Sequence, residues 1–332
     1  MRYIDMHCDT LSEALARKKE TAEGLDGTMV DVARLKEIGA MAQFFAIFLP
    51  QSNVPEWFGL QRMPSPLELF WMQYRIYQNT LETCKRDLAP ATSVVDLEKN
   101  QKEGKISAFL TIENGGAVIE SLEDVQDFYQ RGVRLITLTW NHPNRLGFCH
   151  SADREKMRRG LTDFGKEAVS YMQELGILVD VSHLSDGGFW DVAELSRKRG
   201  LPFVASHSNC RSLCAATRNL TDEMIRRLSE CGGVIGLNFE PTFLSQEVPV
   251  STVERMCDHI QHLMHQGGED CVAIGTDFDG TSGRLEIDTC EKMPLFFEAL
   301  RRRGLSFSEL EKLAYKNAKR VIREGMRAGG IT

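Results

Sequence analysis

The sequence has no uninterrupted apolar stretch near the roughly 20 residues that a membrane-spanning helix needs. Its opening residues, Met1-Arg-Tyr-Ile-Asp-Met-His7, turn polar too early for a secretory leader. No membrane partner and no export are therefore expected. Positive charge is not in excess: 40 basic residues stand against 47 acidic ones, a net charge of −7. A nucleic-acid partner is not expected from such a balance. No Cys-x-x-Cys pair occurs among the nine cysteines, at positions 8, 84, 149, 210, 214, 231, 257, 271 and 290. An odd count without paired spacing argues against a disulfide framework and a zinc ribbon, and fits reduced thiols in a cytoplasmic setting. Finally, no Gly-x-Gly-x-x-Gly follows the first β-rich run, where His7-Cys8-Asp9 stands instead. A doubly wound nucleotide-binding sheet loses its main support.

What the chain does have is alternation. Its 332 residues, 42% apolar and 26% charged, suit one large globular domain or two ordinary ones. Eight β-rich runs are expected at Arg2–Met6, Met41–Leu49, Ile106–Ile112, Leu135–Thr139, Leu178–Val181, Phe203–Ser206, Val234–Asn238 and Val272–Gly275. Helical patterns lie between them at Val30–Ile38, Leu67–Arg86, Leu122–Gln130, Thr162–Leu175, Asp186–Arg199, Thr221–Glu230 and Val253–Gln266. Ser121 opens one with a capping-box spacing, and Gly132, Gly176 and Gly200 follow three of them. Eight strand–helix units without reversal predict an α/β chain folded as a single (β/α)8 TIM-like barrel, one catalytic domain over 1–332. Three stretches read as loop insertions: Pro50–Pro66, Trp140–Gly160 and Glu240–Val250.

Active sites of such barrels form at the C-terminal strand ends. There the sequence places His7 and Asp9 after the first run, Glu113 after the third, His183 after the fifth, His207 after the sixth, and Asp277 and Asp279 after the eighth. The His-x-Asp spacing lets both side chains share one face of an extended strand. Gly115 and Gly116 beside Glu113 would allow close approach of backbone to a ligand. Each residue alone has an ordinary reading as strand-end polarity or as a core histidine held by backbone. As a set, five imidazole and carboxylate groups favour a metal centre with positions left for water and substrate. His259, His262 and His265, three apart on a helix, read instead as a solvated face.

With these residues assembled, the chain resembles the renal (membrane) dipeptidase family of zinc peptidases over nearly its whole length. The segments that carry the resemblance are Ile4-Asp-Met-His-Cys-Asp-Thr10, Thr111-Ile-Glu-Asn-Gly-Gly116, Asp180-Val-Ser-His183, Ser206-His-Ser208 and Gly275-Thr-Asp-Phe-Asp-Gly280. The resemblance implies a metal-dependent barrel hydrolase with two zinc ions. His7 and Asp9 would hold one ion, His183 and His207 the other, with Glu113 bridging. It further implies hydrolysis of a dipeptide by a hydroxide shared between the ions, Asp277 as general acid and base, Arg218 on the substrate carboxylate, and a homodimer. Asp180 would orient His183. The family's substrate-contacting histidine after the fourth strand is replaced here by Trp140, with His142 and His150 as candidate substitutes. Two other readings remain: another binuclear barrel hydrolase acting on lactones, cyclic amides or phosphotriesters, or a non-catalytic metal- or peptide-binding paralogue. The absence of a lysine after the fourth strand disfavours the first.

Overall fold

The computed structural model describes residues 1–247 and 249–327. Val248, in the third expected insertion, and residues 328–332 of the expected domain lie outside them. Eight parallel strands form the barrel: β1 Ile4–Cys8, β2 Ala42–Phe48, β3 Ile106–Glu113, β4 Val133–Thr137, β5 Leu178–Asp180, β6 Val204–Ala205, β7 Val234–Leu237 and β8 Val272–Ile274. The sheet closes through β2 and β3, paired in register from Ala42↔Ser107 to Phe48↔Glu113.

The barrel interior is filled in layers. Ile4, Met6, Phe44, Phe109, Leu135, Leu178, Val204, Val234 and Ala273 form one buried cluster with Ala318, Val321 and Ile322 of the helix Asn317–Gly325. That apolar plug leaves the other end of the barrel for polar groups. The strand pleat carries the same inward face from Phe44 to Phe48 and from Phe109 to Glu113, so the layer above the plug begins with the site. β1 does this differently. Its register against β2 shifts between Asp5 and Cys8, which turns the inward face from Ile4 and Met6 to His7.

Local chemistry explains the helices. Ser65, Ser121 and Ser306 each close a capping box, and Gly176 and Gly200 end their helices in the left-handed conformation. Several expected boundaries move. The first helix pattern begins at Val32 because Asp31 caps it. A short strand at Leu88–Pro90 pairs with β3 beneath β4, and a second small sheet joins Val250–Ser251 to Arg284–Leu285. His259 is buried, not solvated as expected: Cys210 N–H donates to its Nδ1 and its Nε2 contacts the Leu244 carbonyl. Of the three helix histidines, only His265 is exposed. Among the described residues, no helix is long and apolar enough to cross a membrane. All nine cysteines are free.

Candidate metal centre and substrate cavity

At the C-terminal strand ends, six of the seven expected residues converge. Glu113 Oε1 lies 3.0 Å from His183 Nε2 and 3.7 Å from His207 Nε2. Its Oε2 lies 3.7 Å from His7 Nε2, which is itself 3.3 Å from Asp9 Oδ2 and 3.7 Å from Asp277 Oδ1. One carboxylate thus spans two groups of donors. Two triads bring their donor atoms within 4.8 Å of one another: His7, Glu113 and His207, and His7, Asp9 and Asp277. All six residues are buried or nearly so. Asp279, expected beside Asp277, is engaged elsewhere. Its carboxylate accepts from Thr10 Oγ1 and from the backbone N–H groups of Met29 and Val30.

The backbone is strained where the residues converge. Among the described residues only five non-glycines have positive φ, and Asn114, His183, Asp277 and Asp279 are four of them. Gly275 and Gly236 permit the packing underneath, because a Cβ there would stand 1.7 Å and 2.0 Å from the Ser206 carbonyl oxygen. Gly115 and Gly116 have a different use from the one expected. A Cβ at these positions would strike Ile136 and the Asn144 side chain, so they serve packing and not the approach of a ligand.

Electrostatics divides the centre. Burial pulls the His7 imidazole down, but Asp9, Glu113 and Asp277 outweigh it and raise it to about 10. Burial also lifts Glu113 well above the usual carboxylate range and Asp277 to about 7, with Asp9 adding to both. His183 and His207 are pushed far down by burial, then by neighbouring cations. The carboxylate side therefore demands a positive charge, and the imidazole side offers neutral nitrogens.

These donors fit a divalent cation. His183 Nε2 and His207 Nε2 face each other at 3.1 Å, so two lone pairs point at shared space. Asp9 Oδ1 is buried without a hydrogen-bond partner. A cation between these atoms answers both demands, and imidazole with carboxylate is a zinc-type donor set.

The imidazoles are oriented by partners that sequence reasoning missed or misassigned. Asp180 does not reach His183, contrary to expectation. It accepts from Thr137 Oγ1, Ser206 Oγ and the N–H groups of Ser182 and Ser206. Ser206 Oγ is 2.7 Å from His207 Nδ1, so Asp180 acts on His207 through that hydroxyl. Asn141 Oδ1 faces His183 Nδ1 at 3.1 Å. Asn238 Nδ2 donates to Asp277 Oδ2 at 2.8 Å.

Above the cluster opens a cavity of about 620 Å³. Phe48, Trp57, Phe58, Trp140, Glu240, Thr242, Phe243, Asp277 and Asp279 are among the residues that line it. All three insertions thus supply wall. Trp140 packs edge-on against Phe48 and Trp57. Arg218 is 4% exposed, donating to Ser208 Oγ and the His207 carbonyl, with its Nε unpartnered. Burial lowers its pKa to about 10. His150 has both ring nitrogens engaged, by Thr217 and Asn141, and exposed His142 pairs with Ser52. Neither of these histidines nor Arg218 lines the cavity.

Comparison with known proteins gives the family. The family profile described as membrane dipeptidase (peptidase family M19) matches residues 1–328. A Klebsiella pneumoniae protein, described as an uncharacterized protein in the pqqA 5' region, is 33% identical over 270 residues, 78% of this chain and 96% of its own. A solved dipeptidase, AC, of metallopeptidase family M19 superposes with a TM-score of 0.86 at 25% identity, covering 98% of this chain and 99% of its own. A Rhodobacter sphaeroides metallopeptidase, solved with a phosphinate mimic of the dipeptide L-Ala-D-Ala, gives 0.85 at 25% identity with the same coverage. The chain belongs to the membrane dipeptidase family M19 and is a metal-dependent dipeptidase of that type.

Proposed function

We propose that this dipeptidase binds two zinc ions, one held by His7 and Asp9 and the other by His183 and His207, with Glu113 between them. The observation that carries this reading is the division of Glu113: one carboxylate oxygen faces His7 and the other faces His183 and His207. When bound, such a pair of cations supplies a water acidified toward neutrality and Lewis-acid polarisation of the scissile carbonyl.

The remaining work falls to the chain. Asp277 is fixed by Asn238 and faces the cluster, so it accepts the proton of the attacking water and returns it to the leaving amine. Arg218, anchored by Ser208 and the His207 carbonyl, holds the substrate's C-terminal carboxylate as a planar fork. A carboxylate contact fixed beside His207 favours dipeptides over longer chains. The site draws on residues from β1 to β8, so neither half of the chain should act alone. Nine free cysteines, with Cys8 between two ligands, suit a reducing compartment.

A panel of dipeptides with D and L C-terminal residues, run with and without added zinc, tests the reading. Asp277→Asn should abolish turnover and leave metal content unchanged. Full activity in that variant would remove Asp277 from the mechanism.

A further inference from the structure

Trp140 stands where the family resemblance places an imidazole on the substrate carbonyl, and neither of the two nearby histidines, His142 and His150, lines the cavity. The next residue, Asn141, does line the cavity. Its Oδ1 lies 3.1 Å from His183 Nδ1 and 2.9 Å from His150 Nε2. The orientation of this carboxamide follows from His183. A ring that turns its Nε2 lone pair toward Glu113 and His207 carries its proton on Nδ1, and that N–H needs an acceptor. Asn141 therefore presents its oxygen to the two imidazoles. Its NH2 arm makes no hydrogen bond among the described residues, and it is held by an oxygen with two donors.

We propose that the Asn141 amide NH2 donates a hydrogen bond to the scissile carbonyl oxygen, as a catalytic contact that replaces the imidazole displaced by Trp140. This rests on the dipeptidase reading above. Negative charge develops on that oxygen as water adds, and a donor fixed in advance stabilises the addition step more than the bound substrate. Asn141 would also select its own geometry: the ring that orients it is a metal ligand, so the donor is in place when the centre is.

The test compares zinc-loaded wild type, Asn141→Asp, Asn141→Ala and Trp140→Phe on one cleaved dipeptide. Metal content and the inhibition constant of a phosphinate dipeptide mimic are measured beside kcat and KM. Asn141→Asp keeps an oxygen for both imidazoles and loses the donor. Its kcat should fall about 10²- to 10³-fold with KM within a few-fold, bound metal unchanged and phosphinate affinity reduced in parallel. Asn141→Ala should show a kcat loss of the same order. Trp140→Phe, which removes the indole N–H and alters the cavity wall, should lose less kcat than Asn141→Asp. Normal kcat in Asn141→Asp, a loss that tracks missing metal, or the loss appearing in Trp140→Phe instead would overturn the proposal. Wild type that cleaves no dipeptide would overturn the reading beneath it, a separate outcome.

Discussion

The barrel mouth and the helix Val253–Gly267 each carry three histidines, gathered in opposite ways. His7, His183 and His207 are scattered over 200 positions of sequence, yet their rings meet: His7 and His207 stack at 3.8 Å. His259, His262 and His265 are three apart and do not converge on anything shared. His259 is sealed between Cys210 and Leu244, His262 pairs with Asp222, and His265 faces solvent. In the mouth, nitrogens face carboxylates and one another, and Asp9 Oδ1 has no protein partner. On the helix the buried imidazole has both nitrogens matched by backbone. Position at a strand end, and not spacing along the chain, separates the histidines that converge from those that do not.

The sharpest way to break this contrast is at the group that spans the mouth. Glu113→Gln keeps the size and removes the charge that faces both sets of donors. Lewis-acid activation is worth several kcal/mol, so turnover should drop about a thousandfold or more, and elemental analysis should show metal lost. Retention of both would break the division drawn here.

A smaller effect is expected one step back. Ser206→Ala removes the hydroxyl between Asp180 and His207 Nδ1 while leaving every ligand in place. Losing such a partner weakens metal affinity about 10- to 100-fold, measurable by competition with a chelator. An unchanged affinity would show that His207 needs no such support.

The smallest effect belongs to the helix and concerns stability alone. Burial lowers the His259 pKa to about 4, while the nearby Asp258, His262 and Arg255 of its own helix contribute less. From the loop packed against it, the Cys210 thiol, itself pushed up by burial, donates to the His259 backbone carbonyl. A depressed imidazole favours the fold above its ordinary pKa of 6.5 and withdraws that support as pH falls through the window from 6.5 to about 4. Between pH 7 and pH 5 the loss should be about 2 kcal/mol, read from denaturant unfolding. His259→Gln should show a shallower pH slope with metal content unchanged, and an equal slope would assign the effect elsewhere.

The contrast also explains what was legible beforehand. The eight strands and the polar residues at their ends could be read because a β-rich run and the position at its end are local properties. The start of β1 was placed two residues early, since the register shift that turns His7 inward depends on pairing with β2. The depth of His259 is not legible because its partners, Cys210 and Leu244, come from two segments distant in sequence. Asp180 was assigned to the wrong histidine for a related reason: its neighbour in sequence is His183, whereas its hydrogen bonds run across to β6. Asn141 carried no signal of its own beyond following Trp140, and Arg218 was visible only through the family resemblance. Hydrogen-bond direction is a property of the assembled mouth.

The central claim, two metal ions shared by one carboxylate, is tested most directly by adding zinc stepwise to chelator-stripped protein while following dipeptide hydrolysis. The account predicts no turnover in the stripped protein and a rise that levels off at two equivalents per chain. Full turnover without metal, or a plateau at one equivalent, would contradict it.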